Sequence, residues 1–170
     1  MADRTNHDAA ATVTAQLAAL TQRVRALEDV EAVREVVTAY GPAVDAGDAE
    51  AVGRLWTDDA VYDLDLKVFT GREEIVEMVR TAPHQDYLAE GCGHLLDPVH
   101  VRVDGDEAVA TCHSMLLRRS SDEDSFWVWR VSANRFELVR SEGGWLIRRR
   151  TARVLDGRAS ARELLGRVRS

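Results

Sequence analysis

With 170 residues, 45% of them hydrophobic, the chain has enough apolar material for one globular domain around one core. A formal net charge of -7 excludes a surface built to neutralise phosphates, so no nucleic-acid partner is expected. Two cysteines without a CxxC pair, no apolar leader and no run near the ~20 apolar residues of a membrane span predict a cytoplasmic protein with no membrane partner.

Residues 1–12 are small and polar, carry no apolar periodicity, and read as a disordered tail. Val13, Leu17, Leu20, Val24 and Leu27 then recur at spacings of four and three, which predicts a helix with one apolar stripe. The stripe is expected to cover its own domain; the alternative is a contribution to a subunit interface. A second series, Val30, Val33, Val37, Tyr40 and Val44, carries the helical pattern through Gly41 and Pro42 to an Asp45-Ala46-Gly47-Asp48 corner. Asp48 is placed to cap a short helix over 49–55, a strand follows at 60–64, and Gly71 leads into a helix over 72–81.

Beyond Pro83 the chain changes character. Residues 94–103, 107–118, 126–139 and 145–154 are rich in Val, Trp, Leu and Thr and read as long strands, with Asp104-Gly105-Asp106 and Ser141-Glu142-Gly143-Gly144 as hairpin turns. Helices followed by an antiparallel meander predict an α+β fold in which a bent sheet wraps around helices. The Arg148–Arg150 cluster alternates with Trp145 and Ile147 and reads as strand, so at least one of its side chains points away from the other two. Residues 158–170 form a C-terminal helix or tail, with helical spacing through Leu164, Leu165 and Val168.

Few residues have a pattern suited to chemistry. Asp45, between Val44 and Ala46 at a helix end, reads equally as a turn carboxylate. His94 follows Gly91-Cys92-Gly93 at the start of a strand, where a lone histidine is more often a satisfied core residue than a catalyst. A two-residue Asp104-Gly105 turn would set His94 opposite Met115 and Leu96 opposite His113, putting His94 and His113 on one face; a three-residue loop would put them on opposite faces. About 20 Å of extended strand separates His94 from His100, and no HxH, HExxH or Cys/His ligand spacing occurs, so no metal is expected. With no phosphate loop, GxSxG elbow or nucleotide fingerprint, the expectation is chemistry without a cofactor. Cys92 and Cys112 are assigned no role, the four tryptophans read as core or interface, and Glu73, Glu74 and Glu77 as a solvated helix face.

One further pattern is larger than any single residue. Tyr40-x4-Asp45-x2-Asp48, Leu55-Trp56-x2-Asp59-Ala60, Gly93-His94, Ser132-Ala133-Asn134-Arg135-Phe136-Glu137-Leu138 and Gly144-Trp145 together resemble the SnoaL-like families of the nuclear transport factor 2-like superfamily, over residues 30–157. The resemblance implies a single barrel domain over 13–157: a cone of curved antiparallel sheet wrapped around helices, enclosing a pocket. It is closest in function to scytalone dehydratase, hexachlorocyclohexane dehydrochlorinase and bile-acid dehydratases, and implies an Asp45–His94 catalytic dyad at the pocket floor. Substrate-binding candidates are Tyr40, Asn134, His113 and Tyr62. The implied activity is a cofactor-independent, dehydratase-like lyase acting on a small hydrophobic or cyclic carbonyl or hydroxyl compound. The alternatives are a polyketide cyclase or ketosteroid-type isomerase in the same pocket, and a non-catalytic protein that binds a hydrophobic ligand. A homodimer or homotrimer is implied as well. Val44 stands where scytalone dehydratase has a Tyr, Arg119 where it has a second His, and Tyr40 where the dehydrochlorinase has a Lys, which argues against those two specialised substrates.

Overall fold

The computed structural model describes residues 2–122 and 124–166, with side chains from residue 12. Its elements are α1 (Ala2–Asp45), α2 (Ala49–Arg54), β1 (Trp56–Asp63), β2 (Val68–Thr70), α3 (Arg72–Arg80), α4 (His84–Glu90), β3 (Cys92–Leu96), β4 (His100–Asp104), β5 (Glu107–Arg119), β6 (Phe126–Ser141), β7 (Gly144–Val154) and α5 (Ala159–Gly166).

The two apolar series at the start of the chain belong to one long helix. It begins at Ala2, so the separate disordered segment expected over 1–12 gives way to helix throughout its described part. Ala9, Ala10 and Ala11 are strong helix formers, and a helix can continue through them without any periodic apolar face. Val33, Val37, Tyr40 and Val44 are buried against the sheet. Val13, Leu17, Leu20, Val24 and Leu27 are not; each remains 51–70% exposed, so this stripe does not cover its own domain as expected. Asp48 caps α2 as its position suggests, its Oδ1 accepting the Ala51 N–H at 2.8 Å.

The strands form one seven-stranded sheet in the order β2-β1-β7-β6-β5-β3, with β4 paired to β5 beside β3. All neighbours are antiparallel except β1 and β7, which run parallel. The path does not close on itself, so the cone is an open one. Opposite Leu116/Leu117 and Glu137/Leu138 the register shifts by one residue, and the extra residues, Trp129 in β6 and Arg148 in β7, bend the sheet. The core is led by Trp56, Phe136, Ile75, Leu138 and Ile147, all fully buried.

A single strand expected over 94–103 is broken at Asp97-Pro98-Val99 into β3 and β4. Leu96 faces Ser114 while His100 faces Thr111, so four residues on one side span three on the other. Pro98 has no N–H to offer a ladder, which favours a break there. One extra residue inverts the alternation beyond it. His94 therefore faces Leu116, not Met115, and His113 lies on the opposite side of the sheet from His94.

Candidate functional site

The site begins with a close approach of helix to strand. A Cβ on Gly41 would sit 2.5 Å from the His94 carbonyl oxygen, so only glycine lets α1 come this near to β3. One turn later, Asp45 ends the helix with its carboxylate directed at His94. Its Oδ2 accepts the His94 backbone N–H at 2.8 Å, and its Oδ1 lies 2.6 Å from His94 Nδ1. A carboxylate can only accept here, so Nδ1 carries a proton, and in the neutral ring Nε2 keeps a free lone pair.

His94 lines a cavity of about 290 Å³, whose walls include Tyr40, Val44, Tyr62, Phe69, Met78, Leu96, Leu116, Trp129 and Arg150. Asp45 stands behind His94, outside the lining. Burial, reinforced by the neighbouring Tyr62 and opposed by Arg150, pushes the Tyr40 hydroxyl well above the usual phenol range. Tyr40 is therefore a neutral hydrogen-bond donor at physiological pH.

Arg150 was not singled out by sequence reasoning. It is 4% exposed, with its guanidinium 4.4 Å from the Tyr40 ring centroid, 4.8 Å from Tyr62 and 4.9 Å from Phe136. Its Nε and Nη2 donate to Asn134 Oδ1 at 3.0 and 2.8 Å, and its Nη1 has no hydrogen-bond partner among the described residues. A buried cation held by aromatic faces and an amide is costly unless something negative visits it. Asn134, expected to touch substrate, is fully buried and outside the cavity lining. It donates to Ser114 Oγ at 2.9 Å and holds Arg150.

Tyr40 and Tyr62 line the cavity. His113 does not; the break in the strand turns it away, and it pairs with Asp97 instead, Nδ1 to Oδ2 at 2.6 Å. His84, also missed, is 5% exposed and lines the cavity with its ring centroid 5.8 Å from that of His94. The Val79 carbonyl 3.2 Å from Nδ1 fixes the proton there and leaves Nε2 without a hydrogen-bond partner among the described residues. Burial lowers its pKa, so the ring is neutral at physiological pH.

Folding also brings Cys92 to the dyad: one donor atom each from Asp45, Cys92 and His94 lies within 4.8 Å of the others. Such a trio could ligate a metal. Here, however, both Asp45 oxygens are engaged by His94, and burial, with the Asp45 charge, keeps the Cys92 thiol protonated. The arrangement is better suited to moving protons than to holding an ion.

An open cone of sheet around a helix, with an Asp–His pair set in the wall of a mostly apolar cavity, defines a class of small pocket proteins. A model of the SnoaL-like domain matches residues 25–151. Among solved structures, the chain is similar to a nuclear transport factor 2-like protein of cystatin-like fold from Novosphingobium aromaticivorans, with TM-score 0.83 and 43% identity over 86% of this chain and 94% of that one. The chain therefore belongs to the SnoaL-like family of the nuclear transport factor 2-like superfamily. Two more distant structures share the fold. One is a candidate dehydratase from Streptomyces avermitilis, with TM-score 0.62 and 22% identity over 75% of this chain and 97% of that one. The other is a candidate scytalone dehydratase from Novosphingobium aromaticivorans, with TM-score 0.62 and 17% identity over 75% and 85%. No curated protein matches the chain.

Proposed function

We propose that the protein is a cofactor-independent lyase that eliminates water from a small cyclic β-hydroxy carbonyl compound. The observation that carries this reading is the Asp45–His94 pair, with the bare His94 Nε2 belonging to a residue of the cavity wall. His94 Nε2 takes the proton α to the carbonyl, leaving an enolate. Asp45 holds the ring in the required tautomer and stabilises the imidazolium. His94 then returns that proton to the departing β-hydroxyl, so that a carbon–carbon double bond and water form with no outside reagent.

The carbonyl oxygen gains charge in the first step. The Arg150 guanidinium and the neutral Tyr40 hydroxyl, both of residues that line the cavity, are the donors proposed for it, and a preorganised donor of this kind is worth roughly 2.7–4 kcal/mol. Asn134 is a positioning residue that aims Arg150. The cavity volume suits one or two fused rings.

Proton abstraction is tested on 2-tetralone in deuterated buffer by NMR, and elimination on 3-hydroxycyclohexanone. Wild type is expected to accelerate α-deuteration and to release cyclohexenone, and His94→Ala to do neither. Binding of both ketones without any exchange would instead favour a non-catalytic ligand carrier. Deuteration with rearrangement to an isomer and no loss of water would favour an isomerase.

A further inference from the structure

The first half of α1 carries a surface that its own domain does not use. Every described residue from 12 to 28 is exposed, and the helix meets the sheet from Asp29, whose carboxylate accepts Arg140 Nη1 and Nη2 at 2.7 and 2.8 Å. From Val13 to Asp29 the helix therefore runs roughly 24 Å beyond the domain. Val13, Leu17, Leu20, Val24 and Leu27 are all more than half exposed on it. At about 100° per residue their stripe is centred roughly 150° away from the Val33, Val37, Tyr40 and Val44 stripe, so it faces nearly opposite to the buried side.

We propose that this segment pairs with the same segment of a second copy as a parallel, two-stranded coiled coil. The strict alternation of four and three is the 3.5-residue period that a coiled-coil seam requires. It places Val13, Leu20 and Leu27 at d positions and Leu17 and Val24 at a positions; from Leu20 to Leu27 the seam has Leu at d with β-branched Val24 at a, the combination that favours two strands. The flanks supply the direction. Arg23 falls at a g position and Glu28 at the e position of the following heptad, and both are exposed. In a parallel pair, Arg23 of each copy meets Glu28 of the other; an antiparallel pair brings neither together. The next a position is Glu31, which bonds to Arg34 on its own helix, so the seam stops where the domain begins.

Two heptads are short for a coiled coil, so association is concentration-dependent. Sedimentation equilibrium of the full chain tests it. Wild type is expected to dimerise, and Leu20→Lys to raise the dissociation constant at least about tenfold. Arg23→Glu and Glu28→Arg should each weaken the dimer, and the double variant should restore it. Leu27→Cys should form an interchain disulfide on mild oxidation, since parallel pairing alone sets Leu27 against its own copy. The altered side chains are exposed, so the domain's thermal melt should stay at the wild-type value. A dissociation constant unmoved by Leu20→Lys, a wild type that stays monomeric, or a Leu27→Cys chain that does not cross-link would overturn the proposal.

Discussion

Asp45–His94 and Asp97–His113 are two aspartate–histidine pairs built to one pattern on opposite sides of the sheet. In each, one carboxylate oxygen accepts the histidine backbone N–H, at 2.8 and 2.7 Å, and the other lies 2.6 Å from its Nδ1. In the neutral form of each ring the lone pair is therefore on Nε2. The difference lies in what surrounds it. His94 shares a cavity wall with Arg150, Tyr40 and His84. His113 faces away from that cavity, and the Asp97 N–H returns a 3.2 Å bond to the His113 carbonyl, pinning the chain where β3 gives way to β4. What makes the first pair a candidate site is the set of groups it faces, not its own geometry.

The largest expected effect breaks the comparison directly. His94→Ala should slow deuteration of 2-tetralone by about 10³, within the usual range for a lost general base. His113→Ala should leave the rate within about twofold, while costing about 1 kcal/mol of stability through the lost hydrogen bond to Asp97. Rates and thermal melts of the two variants, measured side by side, check this. If His113→Ala also abolished exchange, the cavity would not be what separates the pairs.

Much of the first pair was legible in the sequence, and little of what makes it a site. Asp45 and His94 stood out because a helix-ending corner and a glycine-flanked strand start are local features. His113 was placed on the wrong face because the break at Pro98 adds one residue, and a period of two amplifies a single-residue error into a change of side. Arg150 was missed for the same reason. Strict alternation from Trp145 and Ile147 turns Arg149 inward, but the register shift opposite Glu137/Leu138 passes over Arg148 and turns Arg150 inward instead. His84 lies on a helix of seven residues with no apolar period; its one signal was the proline just before it. The expected stripe over 13–27 was read correctly as helical, but periodicity alone cannot say which body covers an apolar face.

Arg150 is the sharpest difference between the two pairs, since the Asp97–His113 side has no comparable buried cation among the described residues. Arg150→Met keeps the side-chain length and removes the charge. Exchange should fall by about 10², the cost typical of one lost donor to a developing oxyanion. Because Arg150→Met alone strips the buried Asn134 Oδ1 of both its donors, the melt is read in the Arg150→Met/Asn134→Leu double variant. There stability should hold or rise, since replacing a whole buried polar set with well-packed apolar side chains is often neutral or stabilising. Loss of activity with a raised or unchanged melt is not what a purely structural arginine would give. A large fall in the melt would reassign Arg150 to the core.

The smallest effect concerns how the first pair is held. Asp97 and His113 are joined across a strand break and need no helix, whereas Asp45 reaches His94 because Gly41 lets α1 lie against β3. Gly41→Ala places a methyl group 2.5 Å from the His94 carbonyl oxygen, and backbone on both sides must give. Overpacking of this kind costs about 1–3 kcal/mol, and a shift of a few tenths of an ångström in the carboxylate should slow exchange by about tenfold. The downfield Nδ1 proton signals of the two histidines separate this from general loosening. That of His94 should broaden or move while that of His113 stays, since Gly41 touches only the first pair. Equal changes in both would mean that the substitution disturbs the sheet, and that the helix contact does not govern the dyad.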